Sequence, residues 1–167
     1  MDLVSLWQSL ETSAVGSFVA ESAWAFPTLE SIHVIALVTV VGTIAITDLR
    51  LLGLASRKVA VTVVSRETLP FVWGAFALAA VTGLLLFTSK AGSYAANPYF
   101  QLKMLFLMIA GLNMAVFHVF TWRSVHLWDT DSTLPTAAKI AGGTSLLFWI
   151  MVVFFGRVIG FTLGIYQ

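Results

Sequence analysis

Three side chains able to ligate or neutralise a bound group stand in stretches otherwise built of hydrocarbon. They are the imidazole of His33, the amine of Lys103 and the guanidinium of Arg157. A charged side chain in a bilayer costs about 2.5–3.5 kcal/mol on insertion scales, so each asks for a partner or a function. A neutral imidazole and a deprotonated amine can both serve as axial ligands to iron, and a guanidinium can hold a propionate. Glu30 stands three residues before His33, on the same helix face, where it can orient the ring from behind. Together they point to a b-type heme: His33 and Lys103 as metal ligands, Glu30 and Arg157 as cofactor-binding support. Each also has a plain structural reading. Lys103 can snorkel to the surface, Arg157 can pair with Glu30, and His33 can be a buried, hydrogen-bonded histidine.

Such residues need elements that hold them at a common depth. Hydrophobic residues make up 59% of the 167-residue chain and charged residues only 10%, against about 25% in soluble domains. Too few charges remain to cover a water-facing surface, so the matching solvent is lipid. A spanning helix needs roughly 20 mostly apolar residues. Four stretches qualify, at about 27–46, 69–87, 99–122 and 140–163, with Pro27 and Pro70 placed to open the first two and Asn97-Pro98 to precede the third. One domain covers 1–167. The fold expected is an all-α integral membrane four-helix bundle, preceded by an interfacial amphipathic helix over about 2–24, where Leu3, Leu6, Trp7, Leu10, Val15 and Phe18 alternate with polar residues.

Positive charge orients the bundle. Arg50, Arg57, Lys58 and Arg66 follow the first span, and Arg123 and Lys139 follow the third, whereas the loop between spans two and three has only Lys90. Basic loops stay cytoplasmic, which predicts both termini outside, N-out and C-out. The expected setting is a bacterial inner (plasma) membrane, crossed several times. At about 1.5 Å per residue, His33 lies about 9 Å inward from Pro27, Lys103 one or two turns down, and Arg157 about 13 Å from the outer surface. His118 is about 22 Å deeper than Lys103 and cannot share an ion with His33. It is read as interfacial. Asp48 and Arg50 are expected to pair at the inner surface, and His126, Asp129 and Asp131 to lie in a solvated loop.

Small residues recur every fourth position. Gly156, Gly160 and Gly164 line span four, and Ala75, Ala79 and Gly83 line span two. Such lines let helix backbones approach, either within the bundle or across a homo-oligomer seam. Cysteine is absent and net charge is +1. Thiolate metal sites and iron–sulfur clusters are thereby excluded, and nothing draws nucleic acid.

The run Leu29-Glu30-Ser31-Ile32-His33-Val34-Ile35-Ala36 leads to Gly42, followed by Asp48-Leu49-Arg50-Leu51-Leu52-Gly53. With Thr82-Gly83-Leu84-Leu85-Leu86-Phe87 and with Phe100-Gln101-Leu102-Lys103 after Asn97-Pro98, it resembles an uncharacterised family of small four-span bacterial membrane proteins. More distantly it is similar to HemJ-type protoporphyrinogen oxidases and CopD-like membrane domains, in a Leu-His-hydrophobic opening and a Lys-Leu/Met near the start of a later span. In the HemJ type that His and Lys are implicated in heme binding, and by position they fall on His33 and Lys103. The pattern departs where His118 arrives about one turn late and in the basic segments, which weakens the oxidase implication more than the heme one.

The resulting expectation is a heme b protein near the outer face, in electron transfer or porphyrin- or quinone-linked redox chemistry, an oxidoreductase if an enzyme. A small metal-ion or anion transporter or channel, with the same residues lining a vestibule, is a second reading. An assembly subunit of a membrane complex is a third. No nucleophilic triad, P-loop or zinc motif occurs.

Overall fold

The computed structural model describes residues 2–131 and 133–163. Two short helices, α1 (Leu3–Glu11) and α2 (Ala14–Glu21), lead into α3 (Ala25–Leu51) and α4 (Val61–Ser89). A one-turn-scale helix α5 (Ala91–Ala96) connects to α6 (Pro98–Val116), which continues through a π turn (Phe117–Thr121) and a 3-10 segment (Trp122–Leu127). The last helix is α7 (Thr136–Thr162). Four stretches, 25–51, 61–89, 98–127 and 136–162, are long and apolar enough to cross a membrane. The fold is an all-helical bundle of four long apolar helices.

Local chemistry sets the ends. Asn97 accepts from the Tyr99 and Phe100 amides with Pro98 at the first position of α6, a standard way to satisfy orphan donors. Its own amide donates to Thr162 Oγ1 at 3.1 Å, tying the start of α6 to the end of α7. Helix α3 ends in a Schellman motif. Gly53 adopts φ 72°, and the Gly53 and Leu54 amides donate back to the Arg50 and Leu49 carbonyls. Only a residue without Cβ takes that conformation cheaply.

Two expected boundaries move. The second span begins at Val61 rather than Leu69, so Pro70 lies inside α4. A proline there removes one backbone hydrogen bond, tolerable near the helix's inner end where neighbouring groups and headgroups can substitute. The single N-terminal helix is two, broken at Thr12–Ser13, where the Ser13 hydroxyl caps α2 by accepting from Gly16 N. Both pack on the end of the bundle that carries the α4–α5–α6 connection, the end that the distribution of positive charge leads one to expect outside. A Cβ on Gly16 would lie 2.9 Å from the Thr88 carbonyl, so α2 meets α4 backbone to backbone. Trp7 packs edge-on to Phe87, and Glu11 Oε1 accepts from Gly92 N at 2.8 Å.

Helix α3 packs along α4 and across to α7, and α7 packs along α6. By contrast, α4 and α6 do not pack along their lengths. The bundle is therefore an arc in the order α4, α3, α7, α6, with a cleft between its two ends. One apolar cluster, Val40, Ala110, Trp149 and Val152, fills the middle. A second, built on Leu51, Val61, Phe117, Trp128, Leu134 and Ala138, closes the inner end.

Candidate functional site in the cleft between the second and third long helices

Two cavities lie between α4 and α6, one above the other, sharing Phe76, Leu107 and Trp149 as the partition. The outer cavity, of about 460 Å³, is walled mainly by hydrocarbon and aromatic groups and contains both His33 and Lys103. Ligand pockets typically enclose about 300–1,000 Å³ with few polar groups. Its outer end is closed by rings. Phe87 stacks on Phe100 at 5.6 Å, and Tyr94 packs against both. Tyr94 belongs to α5, outside the spans; burial, and secondarily the Glu30 carboxylate, push its phenol up to about 12.

His33 is held from α4. Its Nδ1 lies 3.0 Å from Thr82 Oγ1. The hydroxyl of Thr82 has one hydrogen, directed at the Leu78 carbonyl at 2.7 Å, so toward the imidazole it accepts. With the Thr82 proton on the Leu78 carbonyl, Nδ1 donates to Thr82 and Nε2 keeps the lone pair, a tautomer assigned from the hydrogen-bond geometry. An imidazole whose other nitrogen donates to a fixed neighbour is the usual arrangement of a metal ligand. Gly83 makes the fit: a Cβ there would stand 2.9 Å from His33 Cε1. The small-residue line of α4 thus serves His33 within the chain.

Lys103 is half-buried and reaches in from α6. Its chain passes Gly156, where an added Cβ would meet Cδ at 3.9 Å. It makes no hydrogen bond or ion pair with the described residues. Arg157 does not join them. It is exposed, with its guanidinium 5.0 Å from the Phe161 ring centroid. Glu30 is exposed as well, and no Arg157–Glu30 ion pair forms. Of the expected constellation, the structure brings two members together and leaves two on the outside. Gly160 faces open space, and Gly164 lies outside the described residues.

The inner cavity, of about 250 Å³, contains Asp48 with Thr47, Thr68, Asn113 and Ser145, and has His118 on its wall. His118 therefore belongs to a different chamber from His33. Its Nδ1 lies 2.9 Å from the Met114 carbonyl, at the start of the π turn. The Asp48–Arg50 pair expected from the sequence does not form. Arg50, 1% exposed, donates instead to the Val59 carbonyl at 2.7 Å and the Asp129 carbonyl at 3.2 Å. Two residues apart on a helix point to different sides, which is the physical reason. Asp129 is likewise not a solvated loop residue. Its carboxylate accepts from Thr62 N at 2.8 Å and Thr62 Oγ1 at 2.6 Å, capping α4 across the inner end.

The sequence reading missed Thr82 as a partner of His33 and Asp48 as a cavity residue. Thr82 was legible only as part of Thr82-Gly83, directly on the small-residue line. Among the described residues, no group of three or more His, Cys, Asp or Glu gathers to hold a metal ion. Any metal bound through this chain would need the ligand field of a macrocycle or other donors.

The chain belongs to DUF6644, a family of unknown function, whose model matches residues 7–162. No curated protein and no solved structure matches it.

Proposed function

We propose that this DUF6644 chain binds a b-type heme in the outer cavity, where His33 and Lys103 would hold it. The observation that carries the reading is the pinned imidazole. The Thr82 hydroxyl holds His33 Nδ1 at 3.0 Å, an arrangement that leaves Nε2 for a ligand, inside a chamber also lined by Lys103 and Met104. The residues fit a flat apolar group on three counts. The walls are hydrocarbon, the space is about 460 Å³, and Gly83 and Gly156 keep the space beside both donors free of Cβ atoms. Phe87 and Phe100 supply ring faces at the outer end. Arg157 and Glu30 stand outside the pocket, so the proposal rests on His33 and Lys103.

When bound, such a heme supplies a one-electron redox centre. The chain's own contributions are to fix the imidazole tautomer, to exclude water with the Phe87–Phe100–Tyr94 cluster, and to open sideways between α4 and α6. A lateral opening favours partners that travel in the bilayer, which supports electron transfer or porphyrin- or quinone-linked redox chemistry. Within a bacterial inner membrane, with the N-terminal helices outside, the site lies in the outer leaflet half. Ion conduction has less support, because both chambers are walled mainly by apolar side chains and separated by Phe76, Leu107 and Trp149. A pyridine hemochrome assay on protein purified from heme-replete cells tests the reading. Stoichiometric heme b is expected, and heme-free protein would overturn it.

A further inference from the structure

The inner cavity holds a carboxylate that no cationic side chain among the described residues pairs with. Asp48 is 5% exposed, and its Oδ2 has no hydrogen-bond partner among the described residues. Backbone packing enforces its position. A Cβ on Gly142 would lie 2.9 Å from the Asp48 carbonyl and 3.0 Å from Leu51 Cβ, so α7 meets α3 at van der Waals limit there. One turn along α7, the Ser145 hydroxyl stands beside the carboxylate as a hydrogen-bonding neighbour.

No cation comes to it. Arg50 is committed to the Val59 and Asp129 carbonyls. On α4, Arg66 is exposed and pairs with Glu67 at 3.7 Å. Arg123 and Lys139 are exposed at the inner end. His118, on the cavity wall, has Nδ1 bound to the Met114 carbonyl. A buried carboxylate is either neutralised by a proton or paired, and among the described residues no cationic side chain pairs with this one.

The walls say what kind of partner fits. Trp73, Phe76, Phe117, Trp122 and Trp149 line the same chamber of about 250 Å³. Ring faces carry negative charge density and attract cations, most of all in desolvated aromatic cages. Neutral carbonyl ligands find few donors. Thr47 and Thr68 hydroxyls bond each other at 2.9 Å, and the Asn113 amide donates to the Ala141 carbonyl. A hard inorganic cation needs a shell of oxygen ligands that this largely apolar wall does not offer.

We propose that the inner cavity is a binding site for a small lipophilic ammonium cation, with the Asp48 carboxylate as its countercharge and the surrounding aromatic rings as its cage. The site is separate from the His33 chamber and does not depend on the heme reading.

Benzyltrimethylammonium, titrated into the full-length protein in nanodiscs with tryptophan fluorescence as readout, tests it. Saturable binding is expected, weakened by at least about tenfold in Asp48→Asn and unchanged in Arg157→Gln, which lies outside both cavities. Because Asp48→Asn could fold poorly, the wild type is also titrated with neopentylbenzene, the neutral isostere, which should bind at least about tenfold more weakly. Equal binding of the neutral isostere, an equal response to sodium chloride, or binding of a benzoquinone with none of the ammonium would each overturn the proposal.

Discussion

Gly83 lies so close to the His33 ring that a Cβ at position 83 would stand 2.9 Å from Cε1. That approach fixes one wall of the imidazole, and the hydrogen bond from Nδ1 to Thr82 at 3.0 Å fixes its rotation. Gly83→Ala and Thr82→Val are therefore positioning variants. Both should lower heme affinity about 10–100-fold while leaving the helical circular dichroism intact. Heme content per chain after dialysis against apomyoglobin measures this; affinity unchanged in both variants would remove the positioning role.

The inner end is tied by Arg50 and Asp129. Replacing Arg50 with Leu removes the side-chain donor to the Val59 carbonyl and one of two donors to the Asp129 carbonyl, which keeps the Val61 amide; a hydrogen bond from a charged group is worth about 1.5–3 kcal/mol. Asp129→Ala removes the cap on α4, at about 0.5–2 kcal/mol. Because both act through the same segment, the double variant should lose less than the sum. Denaturant unfolding in mixed micelles reads all three. Strict additivity would show the two ties to be independent.

Tyr94 gives a pH signature at the outer end. Its phenol is pushed from 10.0 to about 12, first by burial and then by Glu30. The folded form thus holds the proton more tightly than the unfolded chain. The linked stability is fully present below about pH 10 and is lost as pH rises toward about 12. Tyr94→Phe should flatten the stability profile across that window. A phenolate absorbance appearing near pH 10 in the folded protein would contradict the buried setting.

Topology can be read with single cysteines, since the chain has none of its own. Lys90 and Arg57 are both exposed, at opposite ends of α4. In intact cells an impermeant maleimide should label Lys90→Cys and leave Arg57→Cys untouched until lysis. The reverse pattern would invert the bundle and put the His33 chamber on the cytoplasmic side.

What the sequence made legible is the part governed by one-dimensional hydropathy. Four apolar runs long enough to span, and the polar breaks between them, are visible without coordinates. Lateral arrangement is not. Helices in lipid are apolar all round, so no amphipathic stripe distinguishes the face toward α3 from the face toward the cleft. That is why the separation of α4 from α6, and the exposure of Arg157 rather than its entry into the pocket, could not be read from depth alone. Depth placed His33 and Lys103 level with each other, and both do line one chamber. The Asp48–Arg50 expectation failed on helix geometry, because neighbours two apart diverge by about 200°. Pro70 misled as a helix start because the preceding Val61–Leu69 turns carry Ser65, Arg66 and Glu67, a polar stretch that nevertheless continues the helix.

The central claim is that His33, pinned by Thr82, ligates a heme in the outer chamber. The most direct measurement is the absorbance spectrum of detergent-purified protein from heme-replete cells, wild type beside His33→Ala. A Soret band in the wild type that disappears in His33→Ala is the expected result. A colourless, iron-free wild type, or a Soret band that survives unchanged in His33→Ala, would contradict it.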